Sequence, residues 1–507
     1  MWRSGVKQLP NCKVSLLQPL KRNAGLSTSA INYNMNASNE PVVLYQVKDT
    51  ARLVVLNRPE KLNALNTLMC KSMFDTLNEY SKSDLINLVI IKSSNAPRSL
   101  CAGGDVAQVA KTNLEGNFKA STDVFTAEYS LNYLLATFNK PIVSFMDGIT
   151  MGGGVGVSIH SPFRVASEFT KWAMPEMDIG FFPDVGTTFA LPRILTLANS
   201  NSQMALYLCL TGDVISGEDA YILGLASHYV SHDNLARLET RLGEINVFHQ
   251  RKHTNASRYS GEEGVALYDM INDSIKEYSE PRFPSDYKFR FSDDQLIVIE
   301  RCFNINNITS IEDVLHNLKA FDNGSIEAKK FATQLEEKLR TKSITSMDVA
   351  IKLIQENSKD HIESALRRDL YVAGNMCYDQ SGLSEFSNAT KFKLLDKGKT
   401  PYEWKHNTPL NKIELNSLFS TKPSIPLSLW SNNINVTWKD YPYHLKYQLP
   451  TEQTIETYIN ENLKGSKNLE QDTINYFLNY NKDTKDKLGV KLLCNSILRR
   501  KFQSNSQ

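Results

Sequence analysis

Over the first half of the chain, short apolar runs alternate with longer stretches of helical spacing, and polar or glycine-rich turns separate them. Val42-Val43-Leu44-Tyr45-Gln46-Val47 and Ala51-Arg52-Leu53-Val54-Val55-Leu56 flank the polar turn Lys48-Asp49-Thr50, which predicts a strand pair closed by Asn57-Arg58-Pro59. Leu68, Met69, Ser72, Met73, Leu77 and Tyr80 fall on one face of a helix expected over Leu68–Tyr80. Leu88-Val89-Ile90-Ile91 is apolar throughout, as in a central strand covered on both faces. The cycle then repeats: a helix near Ser121–Ala136, a strand over Pro141–Met146, a glycine turn, a helix from Gly153, and a strand at Phe163-Arg164-Val165-Ala166. Strands alternating with helices predict an α/β layer built on a mostly parallel sheet. Ligands in such sheets bind at the carboxyl ends of the strands, where the glycine turns fall.

Changes in composition divide the chain further. Residues 1–39 hold Arg3, Lys7, Lys13, Lys21 and Arg22 but no acid; the first carboxylate is Glu40. With Pro19 interrupting its apolar residues, this segment reads as a mitochondrial transit peptide, with cleavage expected between Leu26 and Asn39 and the matrix as destination. Residues 40–247 read as the core of strands and helices, and 248–294, with Gln250-Arg251-Lys252-His253 and Glu280-Pro281-Arg282, reads as a polar connecting segment. Helical patterns resume over 295–421, and 422–507 is a Lys-, Asn- and Tyr-rich tail ending in Arg499-Arg500-Lys501.

The net charge of +2 gives no bulk argument for nucleic acid. No apolar run approaches the length of a membrane-spanning helix. Seven cysteines without CxxC spacing argue against a zinc site and a disulfide framework, and fit a reducing compartment.

Two glycine-rich turns carry the candidate chemistry: Cys101-Ala102-Gly103-Gly104-Asp105 and Gly148-Ile149-Thr150-Met151-Gly152-Gly153-Gly154-Val155-Gly156. Each puts small residues at a strand-to-helix turn, where backbone N–H groups are left to point outward. Two such amides meeting in space make an oxyanion hole for a carbonyl under attack. Glu176, set among Trp172, Ala173, Met174, Ile179, Phe181 and Phe182, is the candidate base or nucleophile, because desolvation raises a carboxylate's pKa. Taken alone, Glu176 could equally be a helix-start carboxylate and Asp184 a Pro-Asp turn residue.

Four motifs in order resemble the crotonase (enoyl-CoA hydratase/isomerase) superfamily: Asn57-Arg58-Pro59-Glu60-Lys61-Leu62-Asn63-Ala64-Leu65, the Cys101–Asp105 turn, the Gly152–Gly154 run, and Ala173-Met174-Pro175-Glu176. Within it, the Gly148–Gly156 run and the stretch from Ala173 to Gly186 are similar to the 3-hydroxyisobutyryl-CoA hydrolase branch of valine breakdown. Glu128-Tyr129-Ser130-Leu131-Asn132 and Arg367-Arg368-Asp369 fit that branch too. The likeness runs from Pro41 to Leu410.

The resemblance implies a spiral of ββα repeats with a helical C-terminal region, and a CoA thioester whose oxygen is held by the amides of Gly104 and Gly153. It implies that Glu176 activates water or attacks the thioester, that Asp184 faces the 3-hydroxyl, and that Glu128 lines the substrate pocket. Lys61 and Ala64 would run along the CoA nucleotide. No metal and no separate cofactor is implied, since CoA is part of the substrate. Hydratases of this superfamily carry a second glutamate where this chain has Gly156, which points away from hydration and toward thioester hydrolysis. The absence of a G-x-S-x-G elbow removes the usual serine-hydrolase route. His160 reads as a packed or surface histidine, His228 and His232 lack further ligands at metal spacing, and Cys101 reads as packing.

A second role comes from a different class. Relatives of this branch also occur as components of the small subunit of mitochondrial ribosomes. The tail's Lys and Arg, interleaved with Trp430, Trp438, Tyr441, Tyr443, Tyr447, Tyr476, Phe477 and Tyr480, suit contacts with RNA phosphates and protein neighbours. A small helical cap with a solvated surface accounts for the same residues equally well. An enoyl-CoA hydratase or isomerase is the third reading.

Overall fold

The computed structural model describes residues 40–246, 262–378, 382–420, 428–430 and 439–503. The basic leader over 1–39, the Gln250–His253 run and Trp438 lie outside these residues. Among the described residues, ten strands form two sheets: β1 (Val43–Lys48), β2 (Ala51–Leu56), β3 (Leu88–Ser93), β4 (Ser99–Cys101), β5 (Ile142–Met146), β6 (Ile149–Met151), β7 (Phe163–Ala166), β8 (Lys171–Ala173), β9 (Ile215–Ser216) and β10 (His228–Tyr229).

The larger sheet runs β1-β2-β3-β5-β7-β10 and the smaller β4-β6-β8-β9. Each turn of the chain therefore lays one strand in each sheet (β3 then β4, β5 then β6, β7 then β8), which is the expected spiral. The β1–β2 hairpin and the β8–β9 pair are antiparallel, and the other pairs are parallel. Parallel strands buried on both faces need continuous apolar sequence, and Leu88 through Ile91 are indeed buried without alternation.

The helix after β2 spans Thr67–Lys82, capped by the Asn66 side chain accepting from Met69 N. Its buried face is Met69, Cys70, Met73, Phe74 and Leu77, close to the pattern read from the sequence. The next long helix spans Phe118–Ala136. The helix expected from Gly153 is a single turn, Gly153–Gly156. Three glycines in four positions give it little intrinsic helical stability, and the chain passes into turns over Val157–Ser161. Its macrodipole is correspondingly small.

One other expectation is corrected. Inside the segment read as a polar connection lies a helix, Glu262–Tyr278, whose Leu267, Tyr268, Ile271 and Ile275 pack with Leu53, Leu88, Ile90 and Val143 of the large sheet. Its four-residue apolar spacing is hidden between polar flanks.

The tail forms helices packed on the core, as in the helical-cap reading of its sequence. Helices Glu452–Asn462, Leu469–Asn475 and Val490–Leu498 bury Ile455, Ile459, Ile474, Leu493 and Ile497 in the main core. Gln448 accepts from the fully buried Arg164 at 2.9 Å, and buried Lys487 donates to the carbonyls of Tyr447 and Gln448. Arg500, with no exposed side-chain area, donates to Glu452 at 2.8 Å and pairs with Glu300, while Lys501 reaches both acids. Arg499 pairs with Asp293. The basic end thus serves internal ion pairs. Removing one member of a buried cluster strands its partners without solvation. Arg500→Ala is expected to cost about 3–5 kcal/mol, read from the urea midpoint; a loss below about 1 kcal/mol would mean that water solvates these acids.

Candidate active site

The β4 and β6 strands end in the two glycine turns, side by side because β4 and β6 pair in parallel. At the first turn, Leu65 N donates to Gly103 O and Asp105 N donates to Leu65 O, both at 2.8 Å. These bonds lock the backbone on either side of Gly104, whose own N–H meets no backbone acceptor among the described residues. Gly153 N heads its one-turn helix and is likewise left open. The two turns touch: a Cβ placed on Gly153 would lie 3.1 Å from Gly104 N and would overlap Glu128 Oε1. Gly152, with φ 48° and ψ −119°, needs glycine's freedom, and a Cβ there would come within 3.0 Å of Glu176 Oε1.

Both amides, Glu128, Glu176 and Asp184 line one cavity of about 490 Å³, walled on its apolar side by Val106, Val109, Phe125, Ile179 and Phe181. Phe125, Phe181 and Phe386 stack in series behind it. Lys393 and Leu394, from the C-terminal helical region, complete the wall. Sequence reasoning thus brought five residues to one place. Lys61 and Ala64, expected along the nucleotide end of the substrate, lie outside this cavity's lining. Lys61 ends the exposed 3₁₀ turn Pro59–Lys61, and the Ala64 carbonyl accepts from Arg58 Nη1 at 3.0 Å.

The three carboxyls are buried: Glu128 is 3%, Glu176 7% and Asp184 6% exposed. Desolvation pushes Glu128 and Glu176 well above the usual carboxylate range, and the charge of Asp184 adds to both. Glu128 Oε1 and Glu176 Oε2 carry no hydrogen bond. Burial raises Asp184 to about 7, held there by an opposing hydrogen bond from Tyr129, whose hydroxyl donates to Asp184 Oδ2 at 2.6 Å.

A raised carboxyl is neutral in the folded chain while the unfolded one is already charged. The stability tied to this trio is therefore complete below the ordinary carboxylate range and drains away as pH rises through about 7, where Asp184 ionises. Glu128→Gln is expected to leave the melting temperature unchanged near pH 4 and to raise it increasingly toward pH 8. A melting difference independent of pH would contradict the burial of this charge.

The loop bearing Asp184 is held from two sides. Val185 has φ 54°, costly for a β-branched residue. His160 Nε2 bonds to Val185 O at 2.8 Å, and Gly186 N donates to Asp369 Oδ2 at 2.9 Å. His160 is a packed histidine, with Tyr441 on its other nitrogen. His228 is engaged by Ser227 and Asn272, and His232 by Asp147. The Cys101 thiol is fully buried and pushed up to about 12, as desolvation demands. Tyr129 and Asp369 are the supporting residues to which sequence reasoning gave no role.

The enoyl-CoA hydratase/isomerase family model matches residues 51–416. The chain belongs to the enoyl-CoA hydratase/isomerase family. Within it, "Small ribosomal subunit protein mS47" of Neurospora crassa is 35% identical, over 82% of this chain and 78% of its own length. The protein of the same name in Schizosaccharomyces pombe is 32% identical, over 80% and 88%. The "3-hydroxyisobutyryl-CoA hydrolase, mitochondrial" of Danio rerio is 31% identical, over 72% and 85%. Among solved structures, a carnitinyl-CoA dehydratase from Mycobacterium thermoresistibile has a TM-score of 0.59 at 25% identity, over 75% of this chain and 97% of that one.

In this family member the position after the glycine run is closed. A Cβ on Gly156 would lie 2.7 Å from Val185 Cβ and 2.9 Å from Asn132 Nδ2, so no second carboxylate fits there.

Proposed function

We propose that this chain is a constituent of the small subunit of the mitochondrial ribosome that keeps a working acyl-CoA thioester hydrolase site, with 3-hydroxyisobutyryl-CoA as substrate. The relatives named as ribosomal proteins support the first part: they match a larger share of the chain than the hydrolases do, 82% and 80% against 72%. The hydrolase relatives named as mitochondrial support the compartment.

The single observation that carries the enzymatic part is the pair of unengaged amides at Gly104 and Gly153 facing the same cavity as Glu176. A thioester oxygen placed between those amides gains its two hydrogen bonds as the carbonyl carbon becomes tetrahedral. Glu176, as the carboxylate, either takes a proton from water, whose oxygen then attacks that carbon, or attacks it itself to give an anhydride that water hydrolyses; the C–O bond forms, the C–S bond breaks, and the CoA sulfur leaves with the proton that water gave up. Asp184 faces the 3-hydroxyl. The position at which hydratases of the superfamily carry their second glutamate is Gly156 here, and it leaves no space for one.

Tyr129 sets the ionisation of Asp184. Its hydroxyl favours the charged form, so Tyr129→Phe raises the Asp184 pKa. A hydrogen bond to a charged group is worth about 1.5–3 kcal/mol, or about one to two pH units. The acidic limb of kcat/KM should move upward by that amount in the variant; an unmoved limb would separate Tyr129 from catalysis.

Two experiments test the proposal. Incubation with 3-hydroxyisobutyryl-CoA and, separately, with crotonyl-CoA should release free thiol from the first and leave the second unhydrated; the reverse would return the chain to the hydratases. Sedimentation of a mitochondrial lysate should place the protein with small ribosomal subunits at low salt. Recovery only in the free fraction would remove the ribosomal role.

A further inference from the structure

Tyr441 lies beyond the residues matched by the family model, yet it reaches the loop that carries Asp184. Its buried hydroxyl meets His160 Nδ1 at 2.7 Å, and the other nitrogen of that ring, Nε2, meets Val185 O at 2.8 Å. The Tyr441 ring is held between two others, with Phe189 edge-on at 5.3 Å between centroids and His444 stacked at 3.8 Å. His444 Nε2 in turn donates to Ile159 O at 3.2 Å, and Arg193 Nε donates to Lys439 O. The tail is thus tied to the chain on both sides of this contact.

The direction of each bond follows from the chemistry of the groups. Burial pushes His160 down to about 4, so near neutral pH its ring is uncharged and carries a single N–H. A carbonyl can only accept, so that proton sits on Nε2 and is given to Val185 O. Nδ1 is then an acceptor, and the Tyr441 hydroxyl donates to it. The two bonds polarise one ring, so donation at Nδ1 strengthens the hold of Nε2–H on Val185. Val185 needs that hold: its φ of 54° is unfavourable for a β-branched residue, and it directly follows Asp184.

We propose that Tyr441 is a positioning residue for acyl selectivity, holding Val185 through His160 and thereby keeping Asp184 in register with the substrate's 3-hydroxyl. The inference rests on the thioester reading above, in which Asp184 faces that hydroxyl, and it gives the tail a part in the site. Without the Tyr441 hydroxyl, buried Nδ1 loses its donor, and the ring regains one only by turning away from Val185. The loop then relaxes from its strained conformation and carries Asp184 with it. Gly104, Gly153 and Glu176 lie on other turns, so cleavage of the thioester itself persists.

The test uses the full chain and two esters, 3-hydroxyisobutyryl-CoA and isobutyryl-CoA, which lacks only the 3-hydroxyl. Tyr441→Phe should lower kcat/KM for the hydroxylated ester by about tenfold and for isobutyryl-CoA by less than about twofold. Equal losses on both esters would mark a merely structural role and overturn the assignment, as would unchanged selectivity. In an Asp184→Asn background the same substitution should change kcat/KM by less than about twofold, and a further loss of about tenfold there would overturn it. Proton NMR of the His160 ring N–H, assigned by its loss in His160→Gln, gives a reading that needs no turnover. A resonance that moves upfield in Tyr441→Phe supports the link, and an unmoved one overturns it. A protein that shows this movement yet hydrolyses neither ester would fail the hydrolase reading alone.

Discussion

Glu176→Gln is expected to lower thiol release from 3-hydroxyisobutyryl-CoA by about 10³-fold or more, while affinity for the ester stays within about threefold. Glutamine keeps the volume of the side chain but can neither attack a carbonyl nor take a proton from water. The environment makes the substitution a clean one. Glu176 lies 7% exposed beside Asp184 and Glu128, and its Oε2 is without a hydrogen bond, so no structural ion pair is lost. Removing one of three mutually repelling buried acids should also raise the melting temperature above neutral pH. A variant that is more stable, binds the ester and does not turn over would assign the chemistry to this carboxylate. Turnover within about tenfold of the unmodified protein would move it elsewhere.

Gly153→Ala addresses the other half of the site. The added methyl would overlap Glu128 Oε1 and press on Gly104 N, which sits 3.1 Å away. Either the two turns part or Glu128 swings out, and in both cases the amides no longer converge on one oxygen. Loss of one such donor removes about 2.7–4 kcal/mol of transition-state stabilisation, or about 10²–10³ in kcat. KM should change far less, since the bonds strengthen only as the oxyanion forms. A variant that raises KM at constant kcat would show the turn to be a binding wall only.

The geometry of the candidate site was legible because its parts are of restricted residue type. Gly104 and Gly153 must lack side chains where the two turns meet, and Gly152 must adopt a backbone conformation that other residues avoid. Glu176 announced itself as an acid in an apolar stretch. The supporting groups were not legible. Tyr129 meets Asp184 across 55 residues, and Asp369 holds Gly186 across 183; no local spacing encodes such pairings.

Elsewhere, polarity misled where it was locally abundant. The helix Glu262–Tyr278 carries its buried Leu267, Ile271 and Ile275 between acids and lysines, and its flanks hid that stripe. The same happened at the chain's end, where Arg500 looked like an RNA contact and is instead enclosed by Glu452 and Glu300. A basic residue read without its partners suggests a surface. Lys61 stands exposed on its turn.

The account turns on polarisation of a thioester carbonyl by two backbone amides. Infrared difference spectroscopy of isotope-labelled 3-hydroxyisobutyryl-CoA bound to the Glu176→Gln protein reads that bond directly. The carbonyl band should fall to lower wavenumber than in free solution and return toward the free value when Gly153→Ala is added. A band at the free position in the Glu176→Gln complex would contradict the central claim.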